Sequence, residues 1–265
     1  MNQPIAAVLF DWGDTLIRYP GSTTDRAGHV ACVETLYRWI VAEHLLQPTD
    51  RERLTWSVFL AAYDDVTAEQ FRVSRETHRE HRLDDRLRGT LRTCGYHGAD
   101  NDKVVERMTA QFVEILVARS TPMPGVKDVL GWLVNKIPLG VVSNHCAAAV
   151  VERSLERAGL VEHLSSIVIS GSFGWIKPDP RPFAEAARQL GVSLSDVLYV
   201  GNEFTSDVMG GKSAGCRVAW LAPDDAPSHQ VEKANIRLSR LHDLLSLPGL
   251  NRGDASIASR CNAFN

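Results

Sequence analysis

The chain has 265 residues, a formal net charge of −3 and a pI near 6.3, so nothing global biases it toward nucleic acid or an anionic membrane surface. That length buries a full core as one large domain or two small ones. Five cysteines (Cys32, Cys94, Cys146, Cys216 and Cys261) are odd in number and form no CxxC pair, which excludes a disulfide framework and fits free thiols in a reducing compartment. The sequence starts without a basic n-region and long apolar h-region, and no run reaches the roughly 18 apolar residues a membrane span needs. The expectation is a cytoplasmic protein with no membrane or nucleic-acid partner, as a monomer or homodimer.

The first element is the apolar run Ile5 to Phe10, which ends in Asp11 and the polar turn Trp12-Gly13-Asp14-Thr15. A short apolar run bounded by turn signals reads as a buried strand of a parallel sheet. A carboxylate at the C-terminal tip of such a strand sits where open α/β sheets bind ligands. Residues 26–120 change character, being rich in charge and helix formers. Apolar residues at helical spacing predict helices over His29–Leu46, Glu52–Tyr63, Ala68–Cys94 and Lys103–Ala118.

Beyond the turn at Thr121–Val126, strands and helices alternate. The pattern predicts a helix over Lys127–Asn135, a strand over Leu139–Val142, a helix over Ala147–Ala158 and a strand over Ser166–Ile169. A helix over Pro182–Leu190, a strand over Val197–Val200, a helix over Asp207–Ala214 and a strand over Arg217–Leu221 follow. This alternation predicts an α/β fold: a Rossmann-like parallel sheet core from residues 1–17 and 121–250, interrupted by an all-helical insertion over 18–120. Residues 251–265 are polar and without periodicity, and a poorly ordered tail is expected there.

Three further polar points fall at or beside strand ends. Ser143-Asn144 closes the run Pro138–Val142, Lys177 precedes a rigid Pro-Asp-Pro turn, and Gly201-Asn202-Glu203 closes the run Val197–Val200, with Asp207 beyond it. Together with Asp11, in this order and spacing, they resemble the four motifs of the haloacid dehalogenase (HAD) superfamily, over roughly residues 5–222. The resemblance implies a hydrolase with an inserted helical cap that covers the active site. It casts Asp11 as the nucleophile of a covalent intermediate. Thr15 fixes the loop, Ser143 donates to an oxygen of the transferring group, and Lys177 neutralises negative charge. It further implies Mg²⁺, held by the Asp11 carboxylate, the backbone carbonyl of Gly13 and Asn202, with Asp207 at the second acidic position. Trp12, Thr15 and Asn144 are candidate substrate-binding residues; Trp175 and Phe204 flank motif residues as candidate pocket walls.

The chain departs from the family pattern twice. Phosphatases of the superfamily carry a second Asp two residues after the nucleophile, which protonates the leaving group; here that position is Gly13, and Asp14 comes one residue late, with its side chain expected to point elsewhere. Loss of general acid–base catalysis typically lowers a rate by about 10²–10⁴. The residue after the motif-four glycine is Asn202 instead of the usual Asp, so metal affinity should fall, with Glu203 available to compensate. The leading reading is an Mg²⁺-dependent phosphatase on a small phosphorylated metabolite. The alternatives are a metal-independent haloacid dehalogenase-like hydrolase and a catalytically weak HAD-fold binding protein. A phosphonatase needs a cap lysine for a Schiff base, and the only lysine within residues 18–120 is Lys103.

In the insertion, Arg72, Arg75, Arg79, Arg82 and Arg86 recur at spacings of 3, 4, 3 and 4, which places them on one face of a continuous helix. The expectation is a solvated face paired with Glu76, Glu80, Asp84 and Asp85, the alternative being an anion-reading stripe. His145 is expected to begin the next helix, with a proton-relay role as the alternative.

Overall fold

In the computed structural model, residues 4–20, 25–45, 54–96 and 101–250 are described. The strand β1 (Ala7–Phe10) is buried along its whole length and lies at the centre of the sheet, between β4 (Leu139–Ser143) and β6 (Val197–Gly201). With β5 (Ser166–Ile169), β7 (Arg217–Leu221) and β8 (Ile236–Leu238), the order is β5-β4-β1-β6-β7-β8, every pair parallel. Side chains alternate across a strand. Val8, Phe10, Leu198 and Val200 therefore enter one core, and Ala7, Leu9, Val197 and Tyr199 the other. Both faces being covered, each central strand reads in sequence as a continuous apolar run.

The chain leaves the sheet after β1 and returns through a two-residue antiparallel pair, β2 (Ile17–Arg18) with β3 (Thr121–Pro122). Between them lie four described helices, α1 (Arg26–Ala42), α2 (Trp56–Thr77), α3 (Leu83–Thr93) and α4 (Asp102–Arg119). Asp25, Thr55 and Asn101 cap the starts of α1, α2 and α4 with side-chain oxygens that accept early backbone N–H groups. The interior faces of these helices, including Leu36, Phe59, Leu87 and Phe112, form one apolar cluster continuous with Trp12 and Leu16 of the first loop.

Sequence periodicity misplaces one boundary. Instead of a break near residues 63–68, α2 runs to Thr77 and stops at His78, whose backbone is left-handed (φ 55°). The arginines at 79 and 82 therefore lie in a connection, and the five-arginine stripe is not one helical face. That connection pairs antiparallel with the segment before Lys177: the Glu80 N–H donates to the Gly174 carbonyl at 3.2 Å and the Ile176 N–H to the His78 carbonyl at 3.0 Å. The expected helix Asp207–Ala214 is another departure. A π-helical turn covers Phe204–Met209 and a single α-turn follows at Gly210–Ser213. Such π-bulges frequently mark functional sites. The expected tail, 251–265, lies outside the described residues.

The helices α5 (Val126–Val134) and α6 (Ala148–Arg157) pack in the core of Val8 and Phe10, and α7 (Pro180–Leu190) packs in the core of Leu9 and Tyr199. Two glycines test this packing in opposite directions. A Cβ at Gly140 in β4 would stand 2.8 Å from Leu9 Cδ2 and 3.0 Å from the Ser166 carbonyl oxygen, whereas one at Gly131 in α5 meets nothing within 4 Å. Gly140→Ala is expected to lower stability by about 1–3 kcal/mol through overpacking. Gly131→Ala should raise it by about 0.5–1 kcal/mol, since only helix propensity changes. Urea unfolding of both variants checks this, and a stabilised Gly140→Ala would contradict the β4 packing.

Candidate active site

The tips of β4, β1 and β6 are adjacent, so the residues that follow them converge. Asp11 leaves β1 with its N–H donating to the Val200 carbonyl at 2.8 Å, and it is 8% exposed. The Lys177 ammonium, delivered by the loop after β5 and 2% exposed, donates to Asp11 Oδ1 at 2.6 Å, to the Tyr199 hydroxyl at 2.7 Å and to Asp207 Oδ1 at 2.8 Å. All three of its protons are thus committed. Burial alone would drive Lys177 toward the neutral amine, yet the two carboxylates more than offset that and raise its pKa. Burial pushes Asp11 up, against the pull of Lys177, to about 7, with the Asp207 charge adding to the rise.

A cavity of about 170 Å³ opens over this group, bordered by Asp11, Gly13, Ser143, Asn144, Lys177 and Asn202. Trp12, Asp14, Tyr19, Glu203 and Ser206 also border it. A larger groove of about 410 Å³ lies between α4 and α6, but its charges pair among themselves, Arg153 with Glu114 at 2.6 Å, and no reactive group converges there.

The structure brings the residues of all four motifs together and corrects what several of them touch. Asp207, expected beside a metal, is 1% exposed and fully engaged. Its Oδ1 accepts from Lys177 and Tyr199, and its Oδ2 accepts from the backbone N–H groups of Asn202 and Glu203 at 3.0 and 2.9 Å. It holds the lysine and shapes the motif-four loop, leaving no oxygen for a cation. Asn144, at the border of the cavity, commits its amide to the lysine loop. Its Nδ2 donates to the Lys177 carbonyl at 2.8 Å, and its Oδ1 accepts from the Lys177 N–H at 2.7 Å.

Thr15 is buried, and its hydroxyl donates to Asn202 Oδ1 at 3.1 Å. Trp12 borders the cavity too, while its indole N–H is turned inward and donates to Ser154 Oγ at 3.0 Å, which fixes the ring against the core. Trp175 serves the connection described above, its ring flanked by the guanidinium carbons of Arg79 at 3.6 Å and Arg181 at 2.9 Å from its centroid. Phe204 packs against Trp220 with 5.5 Å between ring centroids.

Other residues were not legible as site members. Tyr199 sits in the middle of an aliphatic strand; a hydroxyl-tipped ring in a run otherwise Val-Leu-Val was the only available signal. Tyr19, on the chain leaving the first loop, borders the cavity and meets His145 Nε2 at 3.0 Å. Burial holds His145 down to about 4, so the ring is neutral. Asp14, expected to point elsewhere, borders the cavity from a left-handed backbone (φ 54°).

A carboxylate at the tip of the central strand, a buried lysine beside it and a cavity above them on a parallel sheet are features of a hydrolase with an α/β core. The sequence profile of the haloacid dehalogenase-like hydrolases matches residues 51–221, and the chain belongs to that family. A pyrimidine 5'-nucleotidase of Escherichia coli (strain K12) is 30% identical over 142 residues, covering 53% of this chain and 63% of the relative. A 5-amino-6-(5-phospho-D-ribitylamino)uracil phosphatase of the same organism is 27% identical over 250 residues, covering 92% of this chain and 96% of the relative. Among solved structures, a 2-haloacid dehalogenase from Pseudomonas syringae pv. Tomato DC3000 superposes with a TM-score of 0.68 at 22% identity, covering 91% of this chain and 97% of that one, a likeness of fold. No helix among the described residues is long and apolar enough to cross a membrane.

The commitments of Asp207 yield a sharp test. Asp207→Asn exchanges one acceptor oxygen for a donor amide inside a fully buried ion cluster, and breaking such a cluster typically lowers stability by about 3–5 kcal/mol. The loss should appear in metal-free protein with chelator present, by thermal or urea unfolding. A residue that only ligated a cation would leave the metal-free protein as stable as before, or more so.

Proposed function

We propose that this chain is a phosphatase for a small phosphorylated metabolite, acting through a covalent aspartyl phosphate at Asp11. The observation that carries the reading is the Lys177 ammonium 2.6 Å from the Asp11 carboxylate, at a cavity bordered by Ser143. The two curated relatives are by name a nucleotidase and a phosphatase, which supports phosphate esters as the substrate class. In this reading the helices within residues 18–120 form a cap over a core of residues 1–17 and 121–250.

The Asp11 oxygen not held by Lys177 attacks phosphorus. The bond from phosphorus to the ester oxygen breaks as the bond to Asp11 forms, and the departing oxygen takes up a proton. Water then attacks the same phosphorus and releases phosphate and the free carboxylate. Lys177 and the Ser143 hydroxyl offset charge that gathers on the phosphoryl oxygens. Asn144 holds the lysine loop, and Asp207 with Tyr199 holds the lysine itself.

Asp11, the Gly13 carbonyl and the Asn202 amide border one cavity with oxygen donors, the hard ligands magnesium takes when water completes its shell. The set fits one Mg²⁺ held by Asp11, Gly13 and Asn202, without Asp207. Asn202 Oδ1 accepts a single hydrogen bond, from Thr15, and keeps a second lone pair. Bound there, the ion would supply positive charge that offsets the charge of the carboxylate and the phosphoryl group.

Position 13 offers no carboxyl to protonate the departing oxygen. Wild type is therefore expected to hydrolyse p-nitrophenyl phosphate well and alkyl phosphates slowly. Asp11→Asn should abolish both activities; retention of wild-type turnover would refute the covalent route. A side chain at Gly13 has room, because its Cβ meets no atom within 4 Å. Gly13→Asp should raise turnover of alkyl esters by tenfold or more, toward the roughly 10²–10⁴ that general acid catalysis supplies, and of aryl esters little. Equal wild-type rates on both ester classes would assign the proton to another group, with Asp14 first. Haloacids in the same assay separate the dehalogenase alternative, whose halide departs unprotonated.

A further inference from the structure

One hydroxyl at the reaction cavity has no part in the chemistry above. Tyr19, the residue after β2, borders the same cavity of about 170 Å³ as Asp11. Its ring is held between two others: its centroid stands 4.9 Å from that of Trp12 and 5.1 Å from that of His145, which are themselves 5.3 Å apart. The Trp12 indole is tied to Ser154 Oγ, and the His145 N–H donates to Ser170 Oγ at 2.8 Å. Three rings that brace one another, two of them anchored, give the Tyr19 hydroxyl a fixed place.

What that hydroxyl can still do follows from its partner. Among the described residues it bonds to His145 Nε2, at 3.0 Å, and to nothing else. The His145 ring is buried and neutral, so one nitrogen carries a proton and the other does not. Its Nδ1 lies 2.9 Å from the Ala147 carbonyl oxygen and 3.1 Å from the Ala147 nitrogen. With the proton on Nδ1, the ring donates to that carbonyl and accepts from Tyr19, whose oxygen can then accept a further hydrogen bond. With the proton on Nε2, the ring accepts the Ala147 N–H and donates to Tyr19, whose own O–H is then left to donate. An alcohol both donates and accepts and so satisfies either tautomer, whereas a carboxylate only accepts and an ammonium only donates.

Charge at the border points the same way. Among the described residues Lys177 is the one basic side chain there, and its three protons go to Asp11, Tyr199 and Asp207. Asp14 and Glu203 add carboxyl groups to the border, not cations. A second anion beyond the phosphoryl group meets no cation of its own in this space, while a neutral hydroxyl meets Tyr19.

We propose that Tyr19, held by Trp12 and His145, is a hydroxyl-reading subsite of the Asp11 cavity, which selects a small phosphate ester with an alcohol group a few atoms from phosphorus. This deepens the phosphatase reading and rests on it. The role is one of binding, not of proton transfer: an analogue without the alcohol leaves the Tyr19 hydrogen bond unmade and binds more weakly.

Binding of non-hydrolysable phosphonates tests this without turnover. Calorimetry with magnesium chloride present compares 3,4-dihydroxybutylphosphonate, butylphosphonate and 4-phosphonobutyrate, which carry a diol, no second polar group and a carboxylate. Wild type should bind the diol about fivefold or more tighter than butylphosphonate, and 4-phosphonobutyrate no tighter than butylphosphonate. Tyr19→Phe, which removes one oxygen and keeps the ring, should bring the diol-to-butyl ratio within twofold. His145→Gln, which loosens the hydroxyl, should at least halve that ratio. If wild type binds the diol and butylphosphonate alike, the subsite is refuted while the phosphatase reading stands. If none of the three binds, both fail. Tightest binding of the carboxylate would overturn the assignment to an alcohol. A ratio unchanged in Tyr19→Phe, with only the melting temperature lowered, would make Tyr19 a packing residue and overturn the proposal. Should Tyr19→Phe not fold, the wild-type comparison and His145→Gln decide.

Discussion

The site depends on one ammonium group removed from water. Lys177 is 2% exposed and has three hydrogen-bond partners, two of them carboxylates that would otherwise repel each other in a buried space. A charge so placed is tolerable only when paired and fully hydrogen-bonded. Around it the remaining contacts fall into order. Asp207 spends two oxygens on four donors, which draws the Asn202–Glu203 loop against the end of β6. Asn144 clamps the lysine's own backbone from the end of β4. Asp11 is held by the ammonium through Oδ1, the arrangement on which the proposed aspartyl phosphate rests.

Much of this was legible in the sequence, for a physical reason. Strands covered on both faces need apolar side chains at every position, so β1, β4 and β6 stand out as short runs, and the polar residues at their tips are placed by the sheet order. Side-chain direction is another matter. Trp12, Thr15, Asn144 and Asp207 lie where spacing puts them, but whether each faces the cavity or the protein depends on partners distant in sequence: Ser154, Asn202, the Lys177 backbone and the lysine ammonium. Tyr199 escaped notice because its ring belongs to the core and only its hydroxyl to the site. The insertion was legible as helical, but not its break at His78, since that break is set by backbone pairing with residues 174–176.

Gly13 and Asn202 each remove a carboxylate that the family pattern supplies, which lightens the negative charge that a cation must balance. The buried cluster proper holds two carboxylates, Asp11 and Asp207, and one ammonium, and with Asp207 turned inward only Asp11 offers charge to the cavity from within it. On the proposed reading, weak metal binding and slow release of alkoxide leaving groups would both follow from these two positions. Neither position touches the lysine ammonium, whose contact with Asp11 is the poise that the proposed mechanism needs.

That poise is the central claim, and it is most directly measured by trapping the intermediate. Protein mixed with p-nitrophenyl phosphate, quenched in acid within the first turnover and treated with borohydride should yield, on peptide mass spectrometry, homoserine at position 11 in place of Asp11. An unmodified Asp11 at every quench time, while p-nitrophenol is released, would contradict the account.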